Sequence, residues 1–110
     1  MRISKQALNF LKYLHDEEAL PESDVFHFGS VHGFLIKEGS WVWGSKGEKI
    51  IKVGSRKNSV ERTVLNLYRN GYVKRGMLAG PAGGFDYQLT SKGLEALNDR
   101  VPNLSSDVAR

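Results

Sequence analysis

Residues 53–71, VGSRKNSVERTVLNLYRNG, constrain this chain more than any other stretch. Val60, Val64, Leu67 and Tyr68 recur at i, i+4, i+7 and i+8, a narrow apolar stripe on a helix over Asn58–Asn70. At about 100° per residue, Asn58, Arg62, Leu65, Asn66 and Arg69 fall on the opposite side. Asn58 or Ser59 suits an N-cap, and Gly71 suits a left-handed stop after the last turn. A helix with one apolar stripe needs a partner layer, so the rest of the chain must supply a core for this one to cover.

The same region is basic. Between Lys46 and Gly76 stand Lys46, Lys49, Lys52, Arg56, Lys57, Arg62, Arg69, Lys74 and Arg75, against only Glu48 and Glu61. That is a local excess of seven positive charges in a chain of net charge +4. Localised positive charge on a small domain is the footprint of a phosphate-backbone binder, although a solvated basic face carries the same charge.

With 110 residues, the chain suits one domain over residues 1–100, with 101–110 expected to fray as a tail. It has no Cys, which excludes a disulfide framework and a thiolate metal site. No apolar run approaches the ~20 residues of a membrane span. The opening MRISKQALNF lacks the apolar core of a signal peptide, so a cytoplasmic protein is expected.

Elsewhere the pattern predicts a first helix from Ser4 to about Glu18, with Ile3, Ala7, Leu8, Phe10, Leu11 and Leu14 on one face. Ser4 is its N-cap and Pro21 ends it. This face serves as core or as a subunit interface. Residues 25–53 allow two readings. One is a hairpin, with Trp41 and Trp43 on one side of a strand, a GSKG turn, and EKIIKV as the second strand. The other is a short helix over Gly47–Val53, packed on the next one. The two Gly of VFHFGSVHGFLI weaken a helix there. Two strands follow, about Tyr72–Arg75 and Phe85–Leu89, joined by a loop of nine residues. A last helix, about Ser91–Asp99, turns Leu94 and Leu97 inward.

Helix, tight turn, helix ending in Gly, strand, loop, strand, helix resembles a winged helix-turn-helix of the MarR-, PadR- and ArsR-like regulators. The resemblance covers about Lys46–Leu97. It rests on Gly54 followed six residues on by Val60, on Val64, Leu67 and Gly71, on Tyr72 and Val73, and on the LTSKG segment after the wing. Three features depart from that pattern: GEKII before the turn, Ser55 in place of a small apolar residue, and a wing tip, MLAGPAGG, without Lys or Arg. The expected fold is α+β, with an N-terminal helix and a two- or three-stranded antiparallel wing sheet.

The resemblance implies double-stranded DNA as partner and a homodimer, with the Ser4–Glu18 helix and the Trp41–Trp43 region at its interface. It implies a small prokaryotic, phage or archaeal transcriptional regulator. Arg62 is assigned to base edges in the major groove, and Asn58 and Asn66 to adenine or phosphate. Arg56, Lys57 and Ser59, at the turn and helix start, would meet phosphate, as would Lys74 and Arg75 at the wing. Arg69 completes the set. The rival is a protein-interaction module using the apolar wing tip, Leu65 and the pair Trp41/Trp43. RNA binding lacks the exposed aromatic pattern usual for base stacking.

No catalytic residue, metal or cofactor is expected. His15, His27 and His32 show no ligand spacing. GPAGG leads into a strand and has no Lys-Ser/Thr after it, unlike a phosphate loop.

Overall fold

The Ser4 hydroxyl oxygen accepts from the Ala7 N–H at 3.1 Å and starts the first helix, α1 (Lys5–Asp16). In the computed structural model the described residues are 3–21, 28–39, 48–79 and 85–101, with backbone alone for 48–55 and 77–79. After α1 come β1 (Gly29–Ser30), α2 (Val31–Lys37), α3 (Glu48–Arg69), β2 (Val73–Ala79), β3 (Phe85–Leu89) and α4 (Ser91–Arg100). The protein is a small α+β fold of these four helices and one open antiparallel sheet in the order β1-β3-β2.

Ala7, Phe10, Leu11 and Leu14 of α1 are buried, as their spacing predicts. They meet Phe34 and Leu35 of α2, Val60, Val64 and Leu67 of α3, Val73, Tyr87 and Leu89 of the sheet, and Leu97 of α4 in one cluster. Phe10 packs edge-on to Phe34 and Tyr87, with centroids 5.4 and 6.0 Å apart. The apolar face of α1 is therefore spent inside its own chain.

Three sequence expectations change. First, α3 is a single helix of 22 residues, roughly 33 Å long. Gly54 lies inside it, so no turn separates 48–53 from 58–69, and Asn58 and Ser59 are not its cap. A mid-helix Gly costs only about 1 kcal/mol relative to Ala, and tertiary packing overrides it. The hairpin reading of EKIIKV fails for the same reason, since Glu48–Val53 is helical. Trp41 and Trp43 lie outside the described residues.

Second, α2 forms in spite of Gly33. Ser30 caps it, accepting from the Gly33 N–H at 2.9 Å. A Cβ on Gly33 would collide with the Tyr13 hydroxyl, and one on Gly29 would sit 2.5 Å from Leu14 Cδ2 and 2.8 Å from Tyr13 Cε2. These glycines let β1 and α2 close on α1 and do not break the chain.

Third, β2 runs to Ala79, past the expected end at Arg75, with a register irregularity between Arg75 and Ala79. The tip of the connection, 80–84, lies outside the described residues, as does 102–110.

The end of α3 is as expected. Gly71 takes a left-handed φ of 81°, its N–H donates to the Tyr68 carbonyl at 3.1 Å, and the Tyr72 N–H reaches the Leu67 carbonyl at 3.0 Å. LTSKG then locks α4 onto this corner. Thr90 accepts from the Gly93 N–H at 3.1 Å, and Lys92 Nζ donates to the Asn70 carbonyl at 2.8 Å. Gly93 lies flat against the Tyr72 carbonyl.

Candidate nucleic-acid interface

Burial of Val60, Val64 and Leu67 turns the other side of α3 outward, and Asn58, Ser59, Arg62, Asn66 and Arg69 are all exposed. Arg62, Asn66 and Arg69 share a face at steps of three and four residues. Leu65 is partly buried, which reduces what it offers to a partner. Among the described residues no helix is long and apolar enough to cross a membrane. Nor do three or more His, Asp or Glu gather there in a way that could hold a metal ion.

Arg56 stands in a different setting from the one its sequence position suggests. It is mid-helix, and its partly exposed guanidinium bridges Gln6 of α1 and Glu38 at the end of α2. Nε and Nη2 donate to the two carboxylate oxygens of Glu38 at 2.9 and 2.8 Å, and Nη1 donates to Gln6 Oε1. Three of the five N–H donors of an arginine are thus engaged within the chain. The bond to Glu38 holds its guanidinium even more firmly protonated than usual. Gln6 spans onward, its Nε2 donating to Thr63 Oγ1 at 2.7 Å and to the Ser59 carbonyl at 3.2 Å. Lys57 lies 4.0 Å from Glu61 one turn along.

At the other end of α3 the strands bring Arg75 beside the helix. Val73 and Arg75 pair with Leu89 and Tyr87, so Arg75 shares the α3-facing side of the sheet with Tyr87 and Phe85. Phe85 is its diagonal neighbour, within reach of a long side chain. The guanidinium carbon sits 4.4 Å from the Tyr68 ring centroid and 4.2 Å from that of Phe85. Both rings are open to solvent, Tyr68 at 39% and Phe85 at 49% relative exposure. Arg75 Nε is buried with no hydrogen-bond partner among the described residues. Lys74, on the opposite side of the strand, is exposed.

Of the residues expected at the interface, Asn58, Arg62, Asn66 and Arg69 share α3's outer surface, and Arg75 lies near its C-terminal end. Arg56 is drawn into the fold, and Ser59 is shared with Gln6. Sequence reasoning missed Gln6 and Glu38 as partners of Arg56, and Tyr68 and Phe85 as partners of Arg75. Tyr68 was expected in the core because it follows Val64 by four residues, yet the stripe ends at Leu67. Period-two alternation through Phe85, Tyr87 and Leu89 groups Phe85 with the core side of β3, and only the register Arg75↔Tyr87 puts Arg75 on that side too.

Comparison with protein-family models, curated proteins and solved structures yields no match to this chain.

Proposed function

We propose that the chain is a winged helix-turn-helix protein that binds double-stranded DNA, with α3 as its recognition helix and the β2–β3 hairpin as its wing. The observation that carries the reading is the outer face of α3: exposed Asn58, Arg62, Asn66 and Arg69 opposite a buried Val60–Val64–Leu67 stripe, on a 22-residue helix. An α-helix of this kind fits the major groove, where Arg and Asn can distinguish base edges. The order helix, strand, helix, helix, strand, strand supports it, as does the antiparallel hairpin beside α3.

The helix-turn-helix of this reading is α2 and α3, and Gly54, inside α3, is not its turn. In that motif the N-terminal part of the second helix reads bases. Lys49 and Lys52 then stand at the leading end of the recognition helix by position, and Arg62, Asn66 and Arg69 follow along it. Arg56 holds α3 against α1 and α2, while Lys57, Lys74 and Arg75 are left for phosphate. A small transcriptional regulator, acting as a homodimer in the cytoplasm, is the role this fits.

The test is fluorescence anisotropy with a mixed-sequence duplex across salt concentrations. Each phosphate contact adds about 0.9 to the slope of log affinity against log salt. Replacing Arg62 and Arg69 together by Ala should weaken binding and lower the slope by up to about 1.8. Unchanged affinity would remove α3 from the interface. No binding by the native protein at low salt would transfer the surface to a protein partner.

A further inference from the structure

The Tyr68–Arg75–Phe85 stack is a charged group placed against two aromatic rings that the core does not need. Tyr68 comes from the last turn of α3, and Arg75 and Phe85 from neighbouring strands of the hairpin. Three elements thus converge on one guanidinium. In a fold built only for stability, Phe85 would gain more from burial than from standing about half exposed beside an arginine.

We propose that this stack is a phosphate clamp, in which Tyr68 and Phe85 fix the Arg75 guanidinium for one backbone phosphate of the bound duplex. The proposal rests on the DNA reading above and names how one contact of that interface is made. A guanidinium uses its flat face against aromatic rings and its N–H edge against anions, and the two uses do not compete. A free surface arginine must surrender rotamer freedom when it grips a phosphate. One already held at 4.4 and 4.2 Å from two rings has surrendered much of it in the unbound protein. The clamp also explains how a wing tip without Lys or Arg still grips DNA: the grip is on the strands of the hairpin, beside the recognition helix. Tyr68 and Phe85 are positioning residues that act through Arg75.

The experiment is a double-mutant cycle read by DNA anisotropy on the full chain, with melting curves of each variant. Arg75→Ala should weaken binding and lower the salt slope by about 0.9. Phe85→Leu keeps every charge and should weaken binding about two- to five-fold, the scale of a lost cation–π contact at an exposed site. Its slope should stay close to native, and its melting temperature should fall by only a few degrees, the loss of one exposed cation–π contact from the folded chain. Phe85→Tyr, which keeps the ring, should restore affinity. In the Arg75→Ala background, Phe85→Leu should have no further effect, since nothing remains for the ring to hold. Additive losses, or a Phe85→Leu effect that survives without Arg75, would overturn the clamp while leaving DNA binding intact. Failure of the native protein to bind DNA at low salt would overturn the DNA reading, and the clamp with it.

Discussion

Arg56 separates a fold role from a contact role, and replacing it by Ala measures both. Its side chain is 34% exposed and that of Glu38 22%, so the pair is neither a free surface ion pair nor a fully buried one. Exposed pairs are worth about 0–1 kcal/mol, and hydrogen bonds to charged groups about 1.5–3. Two parallel N–H···O bonds of 2.9 and 2.8 Å, screened in part by solvent, then stabilise the fold by about 1 kcal/mol. Removal also strands Gln6 Oε1 at the junction of α1 and α3, and the total loss is about 1.5 kcal/mol. For a domain of this size that lowers Tm by about 6–7 °C. Thermal and urea melts, followed by circular dichroism, read this directly. A Glu38→Gln partner closes a cycle whose coupling should be about 1 kcal/mol. Anisotropy on the folded variant then reads the second role. If Arg56 only orients α3, affinity falls and the salt slope stays within a few tenths of native. If it meets a phosphate, the slope falls by about 0.9. A variant that melts like the native protein and loses that slope would refute the reasoning.

Two further substitutions test the fold. Gly93→Ala, in the first turn of α4, sets a helix-propensity gain of at most about 0.5–1 kcal/mol against a Cβ driven into the Tyr72 carbonyl, with Leu89 Cδ2 only 3.3 Å away. The obstacle is backbone and cannot rotate aside, so overpacking of about 1–3 kcal/mol should win and Tm should fall; a variant as stable as native would show that α4 does not rest on this corner. Asp86 has its carboxyl pKa raised by desolvation, so the folded state holds a proton there more tightly than the unfolded chain. That penalty is present at neutral pH and fades as pH falls through the folded pKa and then the unfolded one. Asp86→Asn should therefore stabilise at pH 7 and do nothing at pH 2, and chemical denaturation at the two pH values checks it.

The helices α1 and α4, strand β3 and the Gly71 stop were legible because each is decided by neighbours in sequence: a cap, a period, a glycine after the last turn. Arg62, Asn66 and Arg69 were legible as exposed for the same reason, being opposite Val60, Val64 and Leu67 on one helix. Arg56 was not. The residues that claim it, Glu38 and Gln6, lie 18 and 50 positions away, and local spacing carries no trace of them.

Glycine shows the limit most clearly, because one residue type marks three physical situations here. Gly71 takes a left-handed φ of 81° and ends a helix. Gly33 and Gly93 are helical and exist for the close approach of Tyr13 and of the Tyr72 carbonyl. Gly54 lies within α3, where its intrinsic cost of about 1 kcal/mol is outweighed. Spacing treats the three alike. Reading Gly54 as a turn put the helix start at Asn58 and made Arg56 and Lys57 loop residues. Once the helix is continuous to Glu48, its leading end moves ten residues toward the N-terminus. Lys49 and Lys52, upstream of Arg56, then belong to the leading turns of the same helix and no longer to a separate element in front of it. The charge pattern stays as the sequence has it; what changes is which atoms it would bring to a groove.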